Sequence, residues 1–178
     1  IITDDIEGAV QFYTQKLGLT VLERFENEDD EDYVFLDAGG IPSLNHPNFR
    51  WAFDHTHITQ VSGALLMEVY NGHPLTNSDG APGRFSGDEI WDGVLSANKV
   101  IFGVATDDSH RYHDFDPKMS NPGRGWVVVR ATEFSSEAIV EGLASGAFYS
   151  STGVSLVELE VSQETVSLRI EQVQDVIY

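Results

Sequence analysis

VIFGVATDDSHRYHDFDPKMSNPGRGW, residues 100–126, is the stretch that decides the fold. Val100 to Ala105 is an apolar run of strand length, and the polar residues after Thr106 place Asp107, Asp108, His110 and His113 in a loop at its end. If the extended backbone persists that far, side chains alternate with period two, so Asp108 and His110 share one face. A carboxylate and an imidazole at one strand end form a plausible metal half-site, because Asp and His are ordinary ligands for Zn, Mn or Fe. Taken alone, a D-x-H is more often a solvated acidic loop.

Upstream, EIWDGVLSAN reads as a helix capped by Asp88, with Ile90, Trp91, Val94 and Leu95 as its buried stripe. Before it, residues 74–87 form a Gly/Pro/Ser-rich loop too long for a simple connector. Ala64 to Tyr70 is a strand that ends in Asn71, Gly72 and His73. Strand, loop, helix and strand make a βαβ unit, and parallel α/β architectures put their sites at the C-terminal ends of the strands. Glu68 lies among apolar neighbours, where a carboxylate needs a partner or a metal; the competing reading is a solvent-facing edge residue.

Further upstream, Ile41 to Leu44 is a short extended run ended by Asn45-His46-Pro47. His55 and His57 have the H-x-H spacing of many metal hydrolases, but no apolar strand precedes them. Asp54 or Thr56 is better read there as the N-cap of a short helix. Downstream, Arg124 sits between glycines, where it either reaches a phosphate unhindered or is an ordinary surface arginine. Trp126 to Ala131 is a strand, Ser135 or Ser136 caps a helix over 138–143, and Gly146 ends it. VSLVELEVSQ and TVSLRIEQVQ alternate as a terminal hairpin against the domain. At the other end, Ile6, Ala9, Val10, Tyr13 and Leu17 have helical spacing with Gly18 as C-cap. Two strands around the acidic turn at 27–32 follow.

Composition bounds the function. The chain has 178 residues, enough for one ordinary core, and its net charge of −19 argues against passive binding to nucleic acid or an anionic membrane. A phosphorylated substrate would be repelled as well, unless metal ions or a local arginine reversed the field. With no cysteine, any metal must be held by His, Asp, Glu or Asn. No apolar run approaches bilayer length. A chain opening on Ile1 reads as a fragment, which leaves its localisation open.

DIEGAVQFYTQKLGLTVLERF followed by YVFLDAGG, within residues 1–39, resembles part of the vicinal oxygen chelate family of glyoxalase and bleomycin-resistance relatives. That resemblance implies a βαβββ module with metal ligands on its first and last strands. Here the first strand is reduced to Ile1 and Ile2, without histidine, and the last is missing, so this piece reads as an α+β scaffold fragment.

GGIPSLNHPNF, LLMEVYNGHP, EIWDGVLSANKVIFGVATDDSHRY, GRGWVVVRA and EAIVEGLASGAFYSSTGVSL, across residues 40–178, resemble the C-terminal half of the PHP (polymerase and histidinol phosphatase) family. The resemblance implies an α/β fold, part of a distorted (β/α)7 barrel with a C-terminal β-hairpin. It also implies metal-dependent hydrolysis of phosphate esters with Mn, Zn or Fe. On the matching motifs, His46, Asp108 and His110 carry over as metal ligands, and Asp108 orients the nucleophile. Glu68, Asn71 and His73 fall at the same pocket, and Arg124 is the candidate for holding phosphate. The expected partner is a phosphorylated small molecule, with a homo-oligomer as one way to complete a site whose opening H-x-H half is not in this chain. The alternatives are a non-catalytic fusion or remnant that binds metal weakly, and a vicinal oxygen chelate lyase or dioxygenase.

Overall fold

The computed structural model describes residues 5–17, 20–26, 32–37 and 40–171. The expected strand at Ile1–Ile2, the Gly18 cap and the acidic turn as far as residue 31 lie outside the described residues.

Helix α1, Ile6–Leu17, begins where the Asp5 carboxylate accepts the Gly8 N–H at 2.8 Å. It packs on the antiparallel strands β1, Thr20–Glu26, and β2, Asp32–Asp37. An ion pair between Glu7 and Arg24 ties the helix to β1.

A parallel sheet carries the rest. Strands β3, Ser43–Leu44, β4, Leu66–Asn71, and β5, Phe102–Thr106, lie in the order β3-β4-β5. The short helix α2, His55–Ile58, connects the first two, and α3, Gly87–Ser96, connects the second pair. Asp54 caps α2 as its sequence suggested. The cap of α3 is Ser86 rather than Asp88: its hydroxyl accepts the Glu89 N–H at 3.1 Å, and the Glu89 carboxylate accepts the Ser86 N–H at 2.8 Å. The reciprocal pair satisfies two end donors where Asp88 alone would satisfy one.

Met67, Ile90, Val94 and Ile101 are sealed between α3 and the sheet, with Leu44, Ile58 and Val61 beside them. Ile90 and Val94 are one helical turn apart and define the buried face. Leu95 falls off that face and stays exposed, while Trp91 packs at its rim and donates its indole N–H to the Ile101 carbonyl at 2.8 Å. Lys99 donates to the carbonyls of Ile58 and Val61, closing the end of α2 against the entry to β5.

Strands β6, Trp126–Val129, and β7, Phe148–Ser151, form an antiparallel pair joined through α4, Ser136–Ala144, whose cap is Ser135. The pair lies against β5: the Phe102 and Phe148 rings meet with centroids 6.1 Å apart, and the Ser150 hydroxyl donates to the Gly103 carbonyl at 2.8 Å. The expected hairpin is present as β8, Leu156–Val161, and β9, Val166–Ile170. It leaves Val161, Val166 and Leu168 exposed instead of burying them against the domain.

The described residues thus form a mixed α/β fold of one three-stranded parallel sheet and three two-stranded antiparallel ones, with no closed barrel among them. No helix among them is long and apolar enough to cross a membrane.

Candidate functional site

Three parallel strands end on the same side, and the loops after them converge. His46 follows β3, Glu68 and Asn71 close β4 with His73 just beyond, and Asp107, Asp108 and His110 follow β5. The sheet brings together what the chain separates.

Glu68 is the centre of this convergence. It is 6% exposed, and both of its oxygens accept hydrogen bonds. One accepts the His46 backbone N–H at 2.6 Å and the Asn71 amide at 2.8 Å; the other accepts the Thr106 hydroxyl at 2.8 Å. All three strands are therefore laced through one carboxylate, and the sequence's demand for a buried partner is met by hydrogen bonds. Asn71 extends the network, donating also to an Asp108 oxygen at 3.3 Å and accepting the His73 N–H at 2.8 Å.

Asp108 and His110 do meet, although strand alternation is not the reason. β5 stops at Thr106, and Asp108 turns into the left-handed region with φ of 48°. That turn brings the His110 Nδ1 to 2.7 Å from the Asp108 carbonyl and 3.8 Å from its carboxylate. A carbonyl oxygen can only accept, so His110 carries its proton on Nδ1 and offers an unprotonated Nε2. His73 is the reverse: its Nδ1 accepts the Leu75 N–H at 3.2 Å, which leaves Nε2 as the protonated nitrogen of the neutral ring.

Arg124 does not point its guanidinium at open space. It donates to the carbonyls of Gly72 at 3.3 Å, Pro117 at 3.2 Å and Asp116 at 2.7 Å, and to the Asn121 side-chain oxygen at 3.3 Å. It clamps the loop after β5 to the end of β4. Gly72 is needed for that clamp, since a Cβ there would lie 2.6 Å from the Arg124 Cβ. Asp107 assists by accepting the Gly123 N–H at 3.2 Å and the Gly125 N–H at 3.4 Å.

The residue that sequence reading missed is Asn121. It is buried, donates to the carbonyls of Arg111 at 3.0 Å and Asp114 at 2.8 Å, and accepts from the Asp116 N–H at 3.0 Å as well as from Arg124. Next to it, the Ser120 carbonyl accepts the N–H groups of His110 and Arg111 at 2.9 and 3.0 Å. The sequence signal was Asn-Pro-Gly, a turn initiator whose polar side chain bonds nearby backbone.

This folded-back loop and the turn after β4 enclose a cleft of about 520 Å³, lined among others by His73, Leu75, His110, Arg111, Lys118 and Met119. Arg111 and Lys118 are two of the ten cationic side chains in a chain of net charge −19. Among the described residues neither cationic head has a hydrogen-bond or ion-pair partner. The two imidazoles meet edge to face at its wall.

Among the described residues no three side chains drawn from His, Asp and Glu gather to hold a metal ion. Of the expected ligands, His110 keeps Nε2 and Asp108 its carboxylate, but among the described residues no third His, Asp or Glu joins them, so the set does not fit a divalent ion held by three protein ligands. His46 gives its backbone N–H to Glu68, and its ring lies against Phe49. His57 is engaged by the Asp54 carboxylate at 2.9 Å, and His55 packs on Phe85 with its Nδ1 buried and unbonded; the H-x-H belongs to the α2 cap. Burial would raise the Asp54 carboxyl, but hydrogen bonds from Thr56 and His57 outweigh it and hold it below its ordinary value.

Residues 1–43 match the model of the Glyoxalase/Bleomycin resistance protein/Dioxygenase superfamily. The match covers α1, β1 and β2 and ends where the parallel sheet starts, so it does not reach the cleft. It contains no histidine. No curated protein and no solved structure matches the chain.

Proposed function

We propose that this protein acts on phosphate esters, with the cleft at the parallel strand ends as the place where the phosphoryl group binds. The observation that carries this reading is the pairing of two unpartnered cations, Arg111 and Lys118, with two imidazoles in one cleft of a strongly acidic chain. An anion needs positive charge at its docking point to approach such a protein, and these cations are the charges available at the cleft. His73 can donate a hydrogen bond from Nε2 and His110 can accept one at Nε2, so the wall serves a phosphoryl oxygen and a water beside it.

The resemblance of residues 40–178 to the PHP family motivates hydrolysis as the reaction and a partial (β/α)7 barrel as the architecture. It also motivates Mn, Zn or Fe as a requirement to be tested. Arg124, the phosphate holder suggested by sequence, becomes the clamp of the loop, and Arg111 and Lys118 take over the phosphate. That no three such ligands gather among the described residues favours a second reading, binding of phosphate esters without turnover.

Release of nitrophenol from p-nitrophenyl phosphate, measured with added Mn, Zn or Fe and with chelator, separates the readings. Metal-dependent turnover that is lost in Asp108→Ala and weakened in Arg111→Ala/Lys118→Ala supports the hydrolase. Phosphate-ester binding without turnover under every metal supports the binding module. Absence of both binding and turnover sinks the proposal.

A further inference from the structure

The cleft has a second chemical character beside its charge. Leu75 is 65% exposed and Met119 40% exposed, and both line it together with Pro74. They are held there by rigid turns. The Thr76 hydroxyl donates to the His73 carbonyl at 2.7 Å, and the Leu75 N–H is fixed on the His73 ring. Met119 donates its N–H to the Asp116 carbonyl at 2.9 Å and is followed by the buried Ser120 and Asn121. The volume, about 520 Å³, lies within the roughly 300–1,000 Å³ of small-molecule sites, so an inorganic phosphate would fill little of it.

Resting on the phosphate-ester reading, we infer that the cleft selects monoesters whose alcohol part is apolar, an aryl or short alkyl group seated on Leu75 and Met119 while the phosphoryl group meets Arg111 and Lys118. Thioether and leucine side chains adapt to a flat ring at little cost, and removing ring and side chains from water supplies the preference.

Calorimetric titration of the full chain with phenyl phosphate, glycerol 3-phosphate and phenol tests this. Phenyl phosphate is expected to bind about tenfold tighter than glycerol 3-phosphate, the factor given by burying roughly 60 Å² of ring face. In Leu75→Ser/Met119→Ser the two affinities converge to within about twofold, because phenyl phosphate loses its advantage. Both positions are exposed, so the fold survives the change, and the wild-type comparison stands without the variant. Equal wild-type affinities for the two esters would overturn the apolar preference and leave the phosphate site standing. A preference that persists in the double variant would overturn its assignment to Leu75 and Met119. Failure of both esters to bind, or phenol binding as tightly as phenyl phosphate, would overturn the phosphate-ester reading and this inference with it.

Discussion

The His73 and His110 rings meet edge to face, with centroids 5.5 Å apart, although one follows β4 and the other follows β5. Their Nδ1 atoms face opposite kinds of partner, a backbone N–H for His73 and a backbone carbonyl for His110. Nitrogen-15 correlation spectra of the neutral rings are therefore expected to show His73 protonated on Nε2 and His110 on Nδ1. The same tautomer at both positions would mean that the wall is not built this way.

On the proposed phosphate-ester reading, charge in the cleft is expected to act on binding more than on folding. Arg111→Ala and Lys118→Ala are each expected to weaken phenyl phosphate binding about threefold to tenfold, with the loss shrinking as salt is raised. Neither change should lower the unfolding midpoint measurably, since both side chains are exposed and unpartnered among the described residues. Thermal unfolding and titration at two salt concentrations check both statements.

Arg124 and Asn121 should behave in the opposite manner. Asn121→Ala leaves two carbonyls and an N–H without their partner and is expected to destabilise by about 1–3 kcal/mol, with early proteolysis in the loop 107–125. Arg124→Lys keeps the charge but cannot reproduce a planar fork shared among four acceptors. Its melting temperature should fall nearly as far as that of Arg124→Ala. A lysine variant as stable as wild type would return Arg124 to the role of a ligand-facing cation.

Glu68 separates charge from hydrogen bonding. Glu68→Leu strands the His46 N–H and the Thr106 hydroxyl, leaves the Asn71 amide only Asp108, and is expected to cost about 3 kcal/mol or more. Glu68→Gln keeps an oxygen for His46 and Asn71, and the Thr106 hydroxyl can turn to accept from the new amide, so its cost should be about 1 kcal/mol. Urea midpoints rank the three proteins. A leucine variant no worse than the glutamine one would remove Glu68 from the lacing of the strands.

The cap of α2 gives a pH dependence with a definite sign. The Asp54 carboxyl is held below its ordinary value in the folded chain, so the carboxylate form is favoured by folding. Its contribution is fully present above the unfolded value of about 3.9 and is lost as pH falls through the lower folded value. Asp54→Ala should therefore be less stable than wild type by about 1 kcal/mol at pH 7, the usual worth of such a cap, with the gap closing in strong acid. Chemical unfolding of both proteins across that range measures the gap directly.

The sequence by itself determined the order of elements, because that order is written in local chemistry. The 3.6-residue spacing of Ile6 to Leu17, the apolar runs of β4 and β5, the cap candidates at 54 or 56 and 135 or 136, and the alternation of the last hairpin all act within a few residues along the chain. It also marked Glu68, Asn71, His73, Asp108 and His110 as polar residues in or just after recognisable strands. Tertiary structure alone decided what those residues do. Ser86 displaced Asp88 as the cap because Glu89 answers it. Asp108 left the strand geometry, and the turn rather than the alternation joined it to His110. The roles of Arg124 and Asn121 were illegible in one dimension, because each depends on which backbone carbonyls a long loop brings within hydrogen-bond reach. A buried polar side chain is fixed by the partners it must satisfy, and those partners are neighbours in space and not in sequence.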